Sequence, residues 1–314
     1  MCRIRAFEEA AIRGATEGLV NGAIHPSIGQ EAVASGICSQ LGAQDVLLST
    51  HRGHGHTLAK GAGADRMMLE LFGRQGGTSG GKGGSMHIAD FGVGMLGANG
   101  VVGANILIAA GAAHGIKLQE DGRVVVCIFG DGAINRGPFL EGLNWASVYQ
   151  LPVLFVCEDN GFAATTRTSA LTAGPGPGAR AESLGIPAAQ VDGNDIVAVD
   201  DIAGRLIGEA REHGPRFLHA KTYRLTGHTS VDPAAYRAQE EVDQHWQNDP
   251  IARARSLLLT AGVSNEALDH VAKEAERELA EVYQQAADAP WPQTATTFQD
   301  VQDVQMQTMR REFA

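Results

Sequence analysis

The spacing of apolar positions changes along the chain, and the changes outline the fold. Residues 3–20 carry an amphipathic helical pattern. Residues 28–41 do the same, with Val33, Ile37 and Leu41 four apart. Residues 49–56 (STHRGHGH) interrupt the pattern and read as a polar Gly/His loop. Asp65 is placed to cap a short helix that runs to Phe72 and stops at Gly73. Residues 73–84 (GRQGGTSGGKGG) hold too much glycine for regular structure, whereas 103–118 are Ala/Gly-rich with helical spacing. Two uninterrupted apolar runs follow, 123–129 (RVVVCIF) and 152–157 (PVLFVC), around a helical stretch at 138–150 that begins with Pro138. A run apolar at every position predicts a strand buried on both faces, and strand–helix–strand of this length predicts a parallel pair. A helix at about 195–212 and a strand at 217–223 continue the alternation. After Asp232-Pro233 the chain becomes charged and helical to about residue 287, and 288–314 reads as an arm. The pattern predicts a parallel α/β sheet with helices on both faces, spanning 1–245, followed by a helical C-terminal extension over 246–314.

Composition narrows the function classes. Among 314 residues, 44% are hydrophobic and 19% charged, which supplies a large core and argues against disorder. A net charge of −11 with no Lys/Arg run argues against nucleic-acid binding. Cys2, Cys38, Cys127 and Cys157 show no CxxC spacing, and the last two sit in apolar runs as small buried residues, which suits a reduced interior. No apolar stretch approaches a membrane span, and the charged opening MCRIRAFEEAAIRG is unlike a secretory signal, so the cytoplasm is expected. The 40 glycines crowd before residue 142, which points to a loop-built ligand site in the first half.

The chemistry lies where the two apolar strands end. The first ends at Gly130-Asp131-Gly132 and the second at Glu158-Asp159-Asn160-Gly161-Phe162. Parallel sheets bind ligands beyond the carboxyl ends of their strands, so Asp131 and Asn160 are expected in one crevice. A carboxylate, an amide oxygen and a backbone carbonyl make a hard oxygen set suited to Mg²⁺, with positions left for phosphate oxygens. Glycines allow close backbone approach to a diphosphate, and the helix expected after Gly132 points N–H groups at the same anion.

GDG followed 29 residues later by Asn, each at a strand end, resembles the thiamine-diphosphate/Mg²⁺ motif. IGQEA (28–32), STHRGHGH, GKGGSMH (81–87), GANGVVGAN (97–105), GDGAINRGPFLEGLNWA (130–146), LPVLFVCEDNGFA (151–163) and TYRLTGHTSVDPAAYR (222–237) extend the likeness over residues 1–245. Together they resemble the E1 α subunit of pyruvate, branched-chain 2-oxo acid and acetoin dehydrogenases. That resemblance implies Asp131, Asn160 and the Phe162 carbonyl as Mg²⁺ ligands. It implies thiamine diphosphate held by Arg52, His51, Gly130, Gly132, Ala133 and His228, with Gly100 and Val102 against the aminopyrimidine ring. His228 and His25 are implied as catalytic histidines, at the cofactor and at the substrate or carrier channel. Two departures stand out: Asp159-Asn160 replaces the usual Asn-Asn, and Phe162 stands where Tyr is common.

The implied activity is cleavage of acetoin or a 2-oxo acid, with transfer of the acyl unit to a lipoyl carrier on an E2 acyltransferase. Such enzymes need a glutamate on a second, pyrimidine-binding domain, for which this chain has no room. Glu31 and Glu141 are the nearest internal carboxylates by motif, and neither belongs to such a domain. An E1 β subunit in an α₂β₂ assembly is therefore expected. The histidine-rich motifs favour acetoin, then pyruvate, then branched 2-oxo acids. A non-catalytic paralogue acting as a binding partner is the alternative, which the intact Asp131, Asn160, Arg52 and His228 disfavour. Residues 222–237 are too polar to order by burying apolar surface, so the diphosphate is expected to order them through His228. Two look-alikes are set aside. GGTSGGKG (76–83) lacks the Ser/Thr of a phosphate-binding P-loop, and GANGVVG lacks a dinucleotide spacing. A zinc site from His51, His54 and His56 is disfavoured beside a plain polar loop, because no further Cys or His is tethered nearby.

Overall fold

The computed structural model describes residues 1–299; the end of the expected arm, from residue 300, lies outside the described residues. Strands β1 (Val46–Thr50), β2 (Met95–Asn99), β3 (Val125–Gly130), β4 (Val153–Asp159), β7 (Ala188–Asp192) and β8 (Arg216–Lys221) form one sheet in the order β2-β1-β3-β4-β8-β7. Every pairing in it is parallel. A two-residue hairpin, β5 (Phe162–Ala163) and β6 (Thr166–Arg167), stands outside the sheet.

The period of two along β3 and β4 explains why both faces need cover. Val125, Cys127, Phe129, Val153, Phe155 and Cys157 point to one face. There they pack on α5 (Ala104–Gln119), α6 (Gly137–Val148) and α7 (Pro177–Glu182). Val124, Val126, Ile128, Leu154 and Val156 point to the other, against α2 (Glu31–Ser39) and α8 (Ile196–His213). The predicted parallel sheet with helices on both faces is the observed one. The four cysteines are free, and Cys127 and Cys157 are buried as expected.

A third apolar cluster joins α1 (Cys2–Thr16), α4 (Ala64–Leu71) and α11 (Asn265–Asp288). The charged tail is helical as predicted, in three pieces: α9 (Gln239–Trp246), α10 (Pro250–Thr260) and α11. Its apolar residues Leu279, Val282 and Tyr283 reach the α1–α4 layer. No helix among the described residues is long and apolar enough to cross a membrane.

The structure corrects several local expectations. β1, β2 and β7 were not apparent in the sequence pattern. STHRGHGH is not a loop: β1 ends at Thr50 inside it, and α3 (His54–Ala59) begins inside it. The helix after Gly132 is delayed by a 3₁₀ turn over Asp131–Asn135, so α6 starts at Gly137.

The glycine-rich segment 73–84 is irregular, as predicted, and its order has a specific source. The buried Glu70 carboxylate accepts backbone N–H bonds from Ser79, Gly81, Gly83 and Gly84 at 2.7–3.1 Å. Such a nest of N–H groups is what a phosphate loop would offer an external anion. Here a carboxylate of the chain itself fills it. A Cβ on Gly77 would come within 2.4 Å of a Glu70 oxygen, which is why the residue there has no side chain.

Candidate active site

The carboxyl ends of β2, β1, β3 and β4 open onto one cavity of about 500 Å³, a volume typical of small-molecule sites. His25, His51, Arg52, Gly100, Val102, Gly130, Asp131, Gly132, Ala133, Asn160, Phe162 and His228 all line it. Every site residue anticipated from sequence is thus brought to one place.

One corner of the cavity is acidic. Asp131 follows β3 directly and is 2% exposed, and its Oδ2 accepts a hydrogen bond from the Thr168 hydroxyl. Asn160 follows β4 and is also buried; its Oδ1 accepts from the Phe162 N–H at 3.2 Å. Burial, then the neighbouring charge of Asp159, pushes the Asp131 carboxyl up to about 6. Burial would raise Asp159 as well, but His219 Nε2 at 2.7 Å and the Gly161 N–H at 3.0 Å hold it low. The Asp159 departure therefore adds a second carboxylate beside Asp131. Asp159 itself does not line the cavity; the Asp131 carboxylate and the Asn160 amide, with the Phe162 carbonyl beside them, fit a small divalent cation that takes oxygen ligands. The Phe162 ring lies among Tyr223, Tyr236 and the Arg167 guanidinium, its centroid 5.7 Å from that of Tyr236.

The facing wall is basic and histidine-rich. Arg52, 4% exposed, is anchored to the Pro26 carbonyl and comes within 3.4 Å of His228 Nδ1. Arg224, 1% exposed, reaches the same nitrogen at 3.4 Å and donates to the Tyr236 hydroxyl. The ring centroids of His25, His51 and His228 lie 4.6 to 5.8 Å apart. Burial first, and the Arg52 charge second, lowers His25 to about 3, His51 to about 2 and His228 to about 4. All three are neutral at ordinary pH. Their ligand atoms lie within 4.8 Å of one another, a spacing a soft cation could use. Two guanidiniums against them make the wall a poor place for a cation and a good one for an anion. Acid at one corner and base at the other match a metal-bound diphosphate.

The remaining predictions of role sort cleanly by contact. His54 is fully buried between Glu8 (2.8 Å) and Ser85 (2.8 Å), and His56 is buried against Ser49 at 2.8 Å. Of the STHRGHGH histidines only His51 faces the cavity. Glu31 is buried in bonds to Arg5 and the Gly29 N–H, and Glu141 is exposed; neither lines the cavity. Residues 222–237 hold themselves without regular structure. Asp232 accepts from the His228 N–H at 2.6 Å and the Tyr236 hydroxyl at 2.8 Å, and Arg237 donates to the Arg224 and Thr226 carbonyls. Tyr223 and Leu225 add apolar contacts with Ile28 and Phe162, and His228 stays on the cavity wall where a ligand's diphosphate could reach it.

Comparison with known proteins adds an independent line. The family model described as "Dehydrogenase E1 component" matches residues 1–295. The chain belongs to the dehydrogenase E1 component family. This E1 chain is similar to subunit alpha of an acetoin:2,6-dichlorophenolindophenol oxidoreductase from Bacillus subtilis, at 40% identity over 96% of the chain and 91% of the relative. The protein of the same name from Cupriavidus necator is 41% identical, with the same shares covered. A pyruvate dehydrogenase E1 component subunit alpha from Zymomonas mobilis is 39% identical over 93% of the chain and 83% of the relative.

Sequence reading missed four residues of this E1 site. Glu158, 4% exposed, lines the cavity with its Oε1 unpartnered and 3.4 Å from His56 Nε2. Its signal was its place two residues before Asn160, on the same side of the pleat. Asn105 ties the ends of β1 and β2 together through the Ser49 and Gly97 carbonyls, and Thr168 bonds Asp131 from a distant loop. Gln30 bonds the Asn160 amide. Gln30 and Asn105 sit in the IGQEA and GANGVVGAN stretches, but the partner of each of the three is a contact made only in the fold.

The neutral histidines set an acid limit on folding. Unfolded imidazoles bind protons near pH 6.5, and the folded ones only near pH 4 or below. Stability is therefore full above about pH 6.5 and declines as pH falls through that value, by up to about 1.4 kcal/mol per pH unit for each ring. In the ligand-free chain, His51→Gln should lose less stability than wild type between pH 7.5 and pH 5, measured by urea denaturation. An equal loss in both would show that His51 is not held neutral by the fold.

Proposed function

We propose that this chain is the α subunit of a thiamine-diphosphate- and Mg²⁺-dependent E1 enzyme that cleaves acetoin and passes the acyl unit to a lipoyl carrier. The observation that carries the reading is the convergence of Asp131, Asn160, Arg52 and His228 at adjoining strand ends, in a chain of this family. Residues 1–245 are read as the cofactor-holding unit and 246–314 as a helical extension. Acetoin is placed before pyruvate, and pyruvate before branched 2-oxo acids. Residues and relatives support this order: two acetoin-acting relatives share 40% and 41% identity, against 39% for a pyruvate dehydrogenase subunit. The cytoplasm is the proposed location.

When bound, thiamine diphosphate supplies the nucleophilic carbon and the electron sink for carbon–carbon cleavage. The chain's own groups do the rest. Asp131, Asn160 and the Phe162 carbonyl hold Mg²⁺. Arg52, His228 and the N–H groups at Gly132 and Ala133 hold the diphosphate, with Gly130 and His51 beside it. Gly100 and Val102 place the pyrimidine ring. The neutral His25 ring has a buried Nδ1 without a partner, the atom at which it would hold or return a proton.

The cavity's own carboxylates bear on where the activating acid comes from. Among the described residues, the carboxylates lining it are Asp131 and Glu158. Asp131 is committed to the metal, and Glu158 lies against His56 with Arg52 within its field. The acid that must hydrogen-bond the aminopyrimidine is therefore assigned to a separate β subunit, in an α₂β₂ assembly that delivers its product to a lipoyl-bearing E2 acyltransferase.

Calorimetry with Mg²⁺ and thiamine diphosphate tests the metal corner. Asp131→Ala should lose most of the metal-dependent affinity, and unchanged binding would remove the assignment. A non-catalytic paralogue would show no such binding even in wild type. For substrate choice, the assembled enzyme with an artificial electron acceptor should give a higher kcat/KM with acetoin than with pyruvate. The reverse preference would move the chain to the pyruvate branch of the same family. The division of labour predicts that the α chain alone exchanges the C2 proton of thiamine diphosphate no faster than free cofactor does, and that adding the β chain restores exchange and turnover together. Rapid exchange by the α chain alone, seen by proton NMR after acid quench, would place the activating acid inside this chain.

A further inference from the structure

We propose that Gln30 is a positioning residue for the metal corner: its side-chain oxygen fixes the Asn160 amide so that oxygen, not nitrogen, faces the cation. The proposal rests on the reading of Asp131 and Asn160 as metal ligands.

The two ends of an asparagine amide are nearly the same size, and only the oxygen can bind a hard cation. A site built on Asn must therefore decide which end points inward. Here two hydrogen bonds of opposite sense decide it. The Phe162 N–H donates to Asn160 Oδ1 at 3.2 Å, and Asn160 Nδ2 donates to Gln30 Oε1 at 3.3 Å. Flipping the amide would set its NH₂ against the Phe162 N–H and its oxygen against the Gln30 oxygen. The correct orientation leaves Oδ1 a second lone pair for the ion.

The backbone that carries Gln30 is held firmly, and its side-chain oxygen meets Asn160 Nδ2. It stands at the N-cap position of α2, and its N–H donates to the Ser27 carbonyl at 2.9 Å. The preceding turn is stapled to the chain after β8: the Leu225 N–H donates to the Ile28 carbonyl at 3.0 Å, and the Thr222 hydroxyl to the Gly29 carbonyl at 3.1 Å. That approach is so close that residue 29 must be glycine. Its φ is +96°, and a Cβ there would sit 2.5 Å from the Tyr223 carbonyl oxygen. The Gly29 N–H is held in turn by Glu31, which Arg5 pairs.

The side chain itself points to a functional reason for an amide. Gln30 is 1% exposed and does not line the cavity, so it acts only through Asn160. Its Nε2 is buried with no partner. Burying an unpartnered NH₂ is unfavourable, and packing alone would favour an apolar residue of the same length. The contact with Asn160 is what the amide oxygen adds. This also accounts for the IGQE stretch (28–31), where the Gly makes the turn, the Gln orients the ligand and the Glu locks the turn.

The test uses the full chain assembled with its β subunit and saturated with thiamine diphosphate, with Mg²⁺ affinity read by calorimetry. Gln30→Met keeps the side chain's length, removes the acceptor and loses no partnered donor, so its Tm should not fall. Its Kd for Mg²⁺ should rise about 10- to 100-fold, the usual cost of losing a group that orients a metal ligand. Gln30→Glu retains an acceptor for Asn160 Nδ2 and should recover most of the affinity. Wild-type affinity in Gln30→Met would overturn the role, and so would equal losses in the Met and Glu variants, which would assign the effect to packing. Asn160→Ala is measured alongside. If it too binds Mg²⁺ normally, the metal reading itself fails; if it binds weakly while Gln30→Met does not, only the role of Gln30 fails.

Discussion

Parallel pairing of β3 with β4, in register from Val125 opposite Val153 to Gly130 opposite Glu158, is the constraint on which the site depends. Because both strands run the same way and end together, the residues just past them are delivered to one edge of the sheet. Asp131 and Asn160 are 29 positions apart in sequence and face one cavity for that reason. The register is enforced from both sides, since each strand buries alternate residues into two different helix layers. A slip of one residue would exchange the two layers and turn the site residues away. The core thus fixes the chemistry, and the loops only complete it.

What that core holds at its edge is electrostatically uncomfortable. The buried Asp131 carboxyl lies beside the half-buried Asp159, opposite two buried guanidiniums and three rings kept neutral. Separated charges of this kind add little to folding, and burying them costs stability. They give the cavity a direction, acid at one corner and base across from it. A ligand carrying both a cation and a multiply charged anion relieves both ends at once.

Amphipathic helices were legible from their period, and the strands that were legible are those buried on both faces. RVVVCIF is apolar at every position from Val124 on, PVLFVC is apolar throughout, and GDG and the later Asn gain meaning only because they end such strands. β1 was hidden because its five residues, VLLST, run directly into the histidine-rich stretch. β2, MLGAN, contains a glycine and is too short to show a period. β7 lies at the sheet edge and is only partly buried, so its pattern is weak. The histidines were misread for a different reason. Composition treats His as polar, whereas His54 and His56 are buried in hydrogen bonds to Glu8, Ser85 and Ser49. The roles of Thr168, Asn105 and Gln30 were invisible because contacts across 37, 56 and 130 positions leave no local trace.

The Glu70 carboxylate in its cradle of N–H groups bears on how a glycine-rich segment keeps its shape. A glycine-rich loop with four converging donors is a ready receptor for phosphate, and a cell is full of phosphate esters. By supplying its own anion, the chain fills those donors from within. The arrangement hangs on a single side chain. Shortening Glu70 would leave four N–H groups without their acceptor, so the shape of a whole glycine-rich segment rests on one carboxylate in the helix before it.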